Sequence, residues 1–191
     1  MVRVKVEDKR NAILRATLLL VNSNGFHAAP MSLIAKNAGV SAGTIYLYFE
    51  NKEDLINTLY RELKRKFSCK IFSGYSVEMP VKKGFEVVWR NVLQYRLMEP
   101  DEAVFIEQCD STPMISEETK ELGLGYIQPL FDLWDRGIEE GIIKPISRPL
   151  LFAYSLYPIY YITKGHIANR FTLSEECINS AFKSSWDAIR T

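Results

Sequence analysis

The sequence is poor in the residues that build metal sites and disulfides. Its 191 residues include three cysteines and two histidines. Cys69, Cys109 and Cys177 are odd in number and far apart, with no CxxC pair, so we expect buried or idle thiols in a reducing cytoplasm. His27 and His166 have no second ligand at helical spacing. We therefore expect no metal, no cofactor and no redox centre.

Long apolar runs are also scarce. The most apolar segment, PLLFAYSLYPIYYI at 149–162, is shorter than the about 20 residues that a membrane span needs, and it contains Pro158 and four tyrosines. The N-terminus shows no apolar stretch followed by a small-residue cleavage site. The sequence predicts a cytoplasmic protein without a membrane partner, and 149–162 is interpreted as an internal or interface helix.

The net charge of +1 hides an asymmetry along the chain. Residues 1–70 carry 12 Lys/Arg and 6 Asp/Glu, a net of +6, whereas residues 71–191 carry 12 and 17, a net of −5. A basic first third on a nearly neutral protein indicates that this part meets a polyanion.

Apolar residues recur at helical spacing almost throughout, and no alternating run with hairpin glycines interrupts them, which predicts an all-α protein. SGYSVEMP at 73–80 is the clear linker. Glycines and Pro129 interrupt 116–140, which predicts a broken or kinked helix there. About nine helices are predicted, at 7–23, 31–38, 42–48, 52–70, 81–98, 101–110, 116–140, 148–168 and 174–189.

Several residues mark the ends of these helices. Gly39 suits the left-handed position that ends the second helix. Ser41 and Asn51 are good N-caps for the third and fourth. Thr172 with Glu175 predicts a capping box for the last helix.

Two short helices joined by a turn that begins with glycine are typical of a helix-turn-helix, whose second helix enters the DNA major groove. Here that second helix begins in GVSAGTIYLYF at 39–49. Ala42 and Gly43 leave its N-terminal backbone N–H groups open to a phosphate. Thr44 presents a hydroxyl and a methyl group, which can touch a base edge or a thymine methyl.

Tyr46 and Tyr48 diverge by about 200° around a helix, so both cannot be core residues. Ile45 and Phe49 are expected to share the inward face. We expect the tyrosines to pack their rings on protein and to place their hydroxyls on the DNA backbone or a base beside it. Lys52 can pair with a phosphate.

Three segments carry a family resemblance: ILRATLLLVNSNGF (13–26), LIAKNAGVSAGTIYLYF (33–49) and NKEDLI (51–56). Over about residues 8–60 the chain resembles the TetR (AcrR-like) family of bacterial transcriptional regulators. The resemblance implies a homodimeric repressor that releases DNA when a small molecule binds. It divides the chain into a DNA-binding domain at 1–52, a connecting helix at 53–72 and a helical ligand-binding and dimerisation domain at 73–191.

The resemblance also implies which residues meet DNA, and one position departs from the family. Ala29 and Pro30 stand where members usually have Thr or Ser, so a hydroxyl contact to phosphate is lost, with Ser32 or backbone N–H groups as substitutes. Its implied DNA contacts are Ser41, Ala42, Gly43, Thr44, Tyr46 and Tyr48, with Lys52 as the phosphate lysine.

The second half is rich in aromatic residues at helical spacing. They indicate either plain core packing or a cavity for a small hydrophobic or amphipathic effector, because buried tyrosines need polar partners. Glu107 and Asp110 are either counter-charges for a cationic ligand or solvated residues. The candidate ligand-binding residues are Trp89, Phe105, Cys109, Tyr126, Trp134, Tyr157 and Tyr161.

The last two predicted helices are where the family usually dimerises. Their candidate dimer residues are Phe152, Ile178, Phe182 and Trp186. A two-fold dimer would place its recognition helices about 34–36 Å apart, or a little more, against a near-palindromic double-stranded operator.

Two other classes stay open. One is a DNA-binding regulator that is controlled by a partner and has no small ligand, its aromatic half filled solid. The other is a helical enzyme, which the sequence disfavours because it has no nucleophile with a nearby base, no H-E-x-x-H and no phosphate loop. We therefore expect a regulator and no catalytic residues.

Overall fold

A computed structural model describes residues 2–110 and 112–191, with side chains from residue 7 onward. Over these residues the chain is helical and without strands, apart from one isolated antiparallel bridge between Ile143 and Arg190. The predicted all-α class is confirmed. No helix within these ranges combines the length and the apolar composition that crossing a bilayer requires.

The helices follow the predicted order closely. A π-helical stretch, Phe152–Leu156, lies between α9 and α10. The α-helices are α1 (Val2–Asn24), α2 (Met31–Asn37), α3 (Ala42–Ile45), α4 (Lys52–Ile71), α5 (Val81–Met98), α6 (Pro100–Asp110), α7 (Glu117–Gly125), α8 (Gln128–Glu139), α9 (Arg148–Leu151), α10 (Tyr157–Ile167) and α11 (Glu175–Ile189).

The chain packs into two compact units. The N-terminal unit contains residues up to 65 together with 101–123, and the C-terminal unit contains 66–100 and 124–191. The predicted division at residues 52 and 72 stays a prediction, because close packing does not show which segments fold independently.

The core of the N-terminal unit is mostly aliphatic. On α1 the spacing of four residues puts Ile13, Thr17 and Val21 on one face, and all three are fully buried. The Thr17 hydroxyl donates to the Ile13 carbonyl at 2.8 Å, which satisfies its polar group within the helix. Ile34 of α2 and Ile45 of α3 are also fully buried, so each short helix is fixed by an apolar anchor.

The core of the C-terminal unit combines aliphatic side chains with a cluster of large aromatic rings. Phe85 and Trp89 of α5 meet α11, with ring centroids 5.9 Å apart for Phe85 and Trp186 and 5.6 Å apart for Trp89 and Phe182. Trp134 of α8 is fully buried in the same cluster. These large rings bury more apolar area per residue than aliphatic side chains and dominate the stability of this unit.

The predicted linker at 73–80 is held in place by side chains. The Asn91 amide donates to the carbonyls of Ile71 at 2.9 Å and Ser73 at 2.8 Å. The Arg136 guanidinium donates to the carbonyl of Met79 at 2.7 Å and also to that of Val77. Both residues belong to helices of the C-terminal unit, so the linker is part of that unit.

Two long predicted helices are interrupted, each next to a proline. The predicted helix 116–140 divides into α7 and α8, and Pro129 lies in the first turn of α8. In the predicted helix 148–168, Pro158 has no N–H to donate to the carbonyl of Tyr154. Just before it, the Tyr157 N–H bonds to the Phe152 carbonyl five residues back, which is the π-helical pattern.

Two local predictions are corrected. The third helix was predicted over 42–48 but ends at Ile45, after which Tyr46–Tyr48 form turns. The capping box of Thr172 and Glu175 is wrong, because α11 begins two residues later than that box requires. Its N-cap is Ser174, whose hydroxyl accepts from the Cys177 N–H at 3.2 Å.

Candidate nucleic-acid interface

The turn between α2 and α3 is built around Gly39. Its φ of +68° lies in the left-handed region, which a side chain would strain. The Gly39 N–H bonds to the Lys36 carbonyl at 3.2 Å, and the Val40 N–H bonds to the Ala35 carbonyl at 3.0 Å. These bonds end α2 and reverse the chain, as the sequence predicts.

Ser41 caps α3. Its hydroxyl accepts from the Thr44 N–H at 3.1 Å and lies 2.7 Å from the Thr44 hydroxyl. The hydroxyl of Thr44 therefore already has a partner within the turn. Ala42 and Gly43 are exposed, and a Cβ added at Gly43 would meet nothing within 4 Å.

In the recognition segment, defined as residues 42–49, three consecutive side chains are exposed or half-buried. Ile45 and Phe49 are buried, as predicted. Tyr46 is 56% exposed and Leu47 is 82% exposed, while Tyr48 is half-buried. The predicted packing of both tyrosine rings on protein holds only in part, because Tyr46 extends into solvent. Sequence reasoning missed Leu47, although its place midway between two inward residues signalled it.

Lys52 has an internal partner. Its ammonium donates to the carbonyl of Phe26, in the turn that follows α1. Partial burial lowers the pKa of Lys52 from its ordinary value of 10.5. Asn51 caps α4 by accepting from the Asp54 N–H at 2.9 Å, as predicted. The start of α4 is thus fixed beside the recognition segment.

The departure at Ala29 and Pro30 leaves α2 intact. Ala29 is fully buried, and Pro30 occupies the N-cap position with no side-chain hydrogen bond. Ser32, the predicted substitute for the lost hydroxyl, is exposed on α2.

The structure does not bring the seven candidate ligand-binding residues together. Trp89 and Trp134 are fully buried in the C-terminal unit, where Tyr126 is half-buried. In the same unit Tyr157 and Tyr161 are 57% and 74% exposed, so in this chain they line no enclosed space. Their spacing in the sequence did not predict which of these aromatic residues are buried and which are exposed.

Phe105 and Cys109 lie in the other, N-terminal unit and are fully buried. Burial raises the pKa of the Cys109 thiol, so it stays protonated at neutral pH. Asp110, exposed as a residue, directs its carboxyl group to the Tyr60 hydroxyl, which donates to it at 3.3 Å. Desolvation raises the pKa of that carboxyl group, against the effect of the buried Lys64 ammonium.

The candidate dimer residues pack inside their own chain. Phe182 and Trp186 are buried against α5, so their side chains are not available to a second chain. Phe152 and Ile178 are half-buried. The exposed apolar face, a name used here for Leu150, Tyr154, Tyr157, Tyr161, Ile167 and Phe171, lies on α9, the π-helical stretch, α10 and the turn that follows.

Comparison with known families agrees with this geometry in both halves of the chain. Residues 13–59 match the bacterial regulatory proteins of the tetR family, and residues 80–190 match the tetracyclin repressor-like C-terminal domain. The fold and the helix-turn-helix thus define a DNA-binding transcriptional regulator. The chain belongs to the TetR family.

Individual relatives extend this similarity. The fatty acid metabolism regulator protein of Bacillus subtilis is 31% identical over 73% of this chain and 76% of its own. A TetR family regulator from Marinobacter aquaeolei is 28% identical, with a TM-score of 0.91 over 98% of both chains. FadR from Bacillus subtilis, solved in complex with stearoyl-CoA, has a TM-score of 0.68 at 22% identity, over 93% of this chain and 98% of its own.

Proposed function

We propose that this chain acts as a homodimeric repressor that binds a near-palindromic operator and leaves it when an amphipathic effector binds. Residues 1–52 read DNA, residues 53–72 connect, and residues 73–191 bind the effector and dimerise. The family membership supports the general scheme, and the placement of individual side chains supports the assignments below.

The outward side chains of the recognition segment carry the proposal. Apolar side chains stabilise a fold by leaving water, yet Tyr46 and Leu47 remain mostly exposed between the buried anchors Ile45 and Phe49. The open space around Gly43 means that packing within the described chain does not require glycine there. A close approach of DNA backbone would require it.

Each DNA contact is assigned by chemistry. The backbone N–H groups of Ala42 and Gly43, with the capping hydroxyl of Ser41, approach a phosphate. The Thr44 methyl group meets a base edge, and the Tyr46 hydroxyl reaches a phosphate or a base beside it. The Tyr48 hydroxyl and Lys52 hold the phosphate backbone, and Lys52 can keep its bond to Phe26 because an ammonium has three donors.

The exposed apolar face supplies the dimer interface. Tyr154, Tyr157 and Tyr161 project from consecutive turns and are all more than half exposed. Aromatic residues are enriched at such interfaces. Two copies related by a two-fold axis would bury these rings against each other and set the spacing of the recognition segments.

The effector is proposed to carry an acyl chain. The basis is the Bacillus subtilis relative named for fatty acid metabolism and the FadR neighbour solved with stearoyl-CoA. Induction is then a population shift: an effector that binds better to a dimer with misaligned recognition segments weakens DNA binding by its difference in affinity for the two states.

Fluorescence anisotropy on DNA from upstream of the gene, with a scrambled duplex as control, tests this function. Preferential binding of two or four chains to the native duplex, and its release by stearoyl-CoA, would support the proposal. Equal and steeply salt-dependent binding to both duplexes would contradict specific recognition there. Specific binding that no acyl compound weakens would favour the partner-controlled regulator.

Two conservative variants separate the assigned roles. Tyr46→Phe should weaken binding to native and scrambled DNA alike, since the lost hydroxyl meets a phosphate or a base beside it. Thr44→Ser keeps the hydroxyl that bonds to Ser41 but removes the methyl group, so it should lose mainly specificity. Tyr75→Phe, in the C-terminal unit and outside the assigned DNA, effector and dimer residues, is the control. The reverse pattern would overturn these roles.

A further inference from the structure

One indole in the C-terminal unit is buried without a hydrogen-bond partner. Among the described residues, two buried side-chain polar atoms have no partner: Asn22 Oδ1 and Trp134 Nε1. Asn22 is only half-buried, and its amide nitrogen already donates to the Asp101 carbonyl at 2.7 Å. Trp134 is fully buried, so its N–H has no access to solvent.

Another buried indole of the same core, that of Trp89, has a hydrogen-bond partner. It is equally buried, and its Nε1 donates to the Ser155 carbonyl at 2.9 Å. An unpaired buried donor costs about 1–3 kcal/mol, so leaving Trp134 unpaired is a real penalty within a unit that satisfies Trp89. Such a donor takes its acceptor from outside the chain, as an ordered water or as a bound ligand, and the side chains around it indicate which.

The surroundings of Trp134 define the kind of molecule that could supply it. Its ring meets Phe152 edge-on, with centroids 4.9 Å apart, and Phe131 lies 6.2 Å away. Phe152 opens the π-helical stretch, a backbone form that recurs at functional sites. A single N–H donor among aromatic walls suits an apolar molecule that carries one acceptor oxygen.

We infer that Trp134 Nε1 donates a hydrogen bond to the acyl oxygen of an effector whose apolar chain lies against Phe131 and Phe152. The inference rests on the proposed function in taking this ligand to be the effector. The acceptor is the carboxylate of a fatty acid or the carbonyl of an acyl thioester, two sources of the same chemistry.

Indole ¹H–¹⁵N spectra of the full chain test the inference directly. The sequence has three tryptophans, which Trp→Phe variants assign. Adding decanoate or decanoyl-CoA should move the Trp134 N–H proton downfield and leave that of Trp89 in place, whereas n-decane should cause no downfield shift. A response to one acyl probe alone identifies the source. No downfield shift of Trp134 with either probe, or an equal shift of Trp89, would overturn the assignment.

A matched pair of variants gives a second test. Trp134→Phe and Trp89→Phe remove the same atoms from equally buried positions. The preference is the ratio of the dissociation constants for n-decane and decanoate. In Trp134→Phe this ratio should fall about tenfold, which corresponds to one hydrogen bond at about 1.4 kcal/mol. In Trp89→Phe that preference should persist. Equal losses in the two variants would contradict the role of Trp134, and the spectra of the unaltered chain decide the matter if Trp134→Phe does not fold.

This inference and the proposed function can fail separately. If the protein binds its operator and an acyl probe releases it while the Trp134 resonance does not move, the proposed function stands and the inference is wrong. If the Trp134 resonance moves downfield but the protein binds no operator, the inference stands and the proposed function is wrong.

Discussion

The two compact units differ in what fills their cores and therefore in how well a sequence pattern predicts their surfaces. The fully buried side chains of the N-terminal unit are mostly aliphatic, such as Ile13 and Ile45, whereas those of the C-terminal unit also include two tryptophans, Trp89 and Trp134. In the first unit aromatic side chains outside the core, such as that of Tyr46, therefore stand out. In the second, core and surface are both aromatic, so residue type alone does not separate them.

The largest expected effect comes from removing a core aromatic ring of the C-terminal unit, which separates core rings from surface rings. Trp186→Ala should lower the free energy of unfolding by about 3–5 kcal/mol, because its ring fills the core against Phe85. Chemical denaturation measures the change, and Lys183→Ala, exposed on the same helix, is the control. An unchanged free energy of unfolding with a weakened dimer would restore the original prediction that Trp186 lies in the interface.

The next effect concerns the exposed apolar face. Tyr161→Glu should leave the free energy of unfolding of the monomer within about 0.5 kcal/mol, because the ring is 74% exposed. It should raise the dimer dissociation constant by about 30-fold, which corresponds to a loss of about 2 kcal/mol at a central interface position. Analytical ultracentrifugation measures this constant, with Lys82→Glu, at an exposed position of α5, as a charge control. A dimer unaffected by Tyr161→Glu would move the interface elsewhere.

A smaller effect compares one serine cap in each unit. Ser41→Ala and Ser174→Ala each remove a hydroxyl that accepts from a backbone N–H, at 3.1 Å and 3.2 Å. Each should cost about 1 kcal/mol of stability. Only Ser41→Ala should weaken operator binding, since it alone shapes the recognition segment. Anisotropy and thermal unfolding measured together decide this, and an equal loss of DNA binding in both variants would count against the assigned site.

The smallest effect is a pH dependence in the N-terminal unit. Burial lowers the pKa of Lys64 in the folded state below its ordinary value of 10.5. Between these two values the unfolded chain binds more protons, so the free energy of unfolding should rise with pH as the folded lysine loses its charge. Below the folded-state pKa both forms are charged and this dependence vanishes.

Denaturation measured from neutral to alkaline pH tests the direction. Lys64→Met should flatten the rise and stabilise the protein at neutral pH, because it removes a charge whose desolvation outweighs its attraction to Asp110. Lys82→Met, at an exposed position, should leave the curve unchanged. A fall in stability over the same window would mean that the partners of Lys64 outweigh its desolvation.

Much of the helix-turn-helix could be read from the sequence because its determinants are local. Gly39 needs a left-handed conformation, and the caps at Ser41 and Asn51 bond within three residues of themselves. The spacing of Ile45 and Phe49 sets which side of the segment turns inward. What the pattern did not predict is that Thr44 would share its hydroxyl with Ser41, or that Lys52 would bond to Phe26.

In the C-terminal unit the helices were predictable but the roles of their side chains were not. The candidates for ligand binding and dimerisation were chosen by residue type and spacing, which are the same for a core ring and a surface ring. Phe182 and Trp186 are buried and Tyr161 is exposed, although all three recur at helical spacing. The π-helical stretch before Pro158 adds a residue to the turn, which spacing of 3.6 residues does not anticipate.

The sequence by itself determined the all-α class, the positions of most helices and the helix-turn-helix, because caps, glycine and apolar spacing act over a few neighbouring residues. Only the tertiary structure decided which aromatic rings are core, which stay exposed, and which indole finds a partner. The bond from Trp89 to Ser155 joins residues 66 positions apart, whereas Trp134 has no equivalent bond among the residues that the structure describes. Such pairings depend on how distant helices pack, which local sequence does not specify.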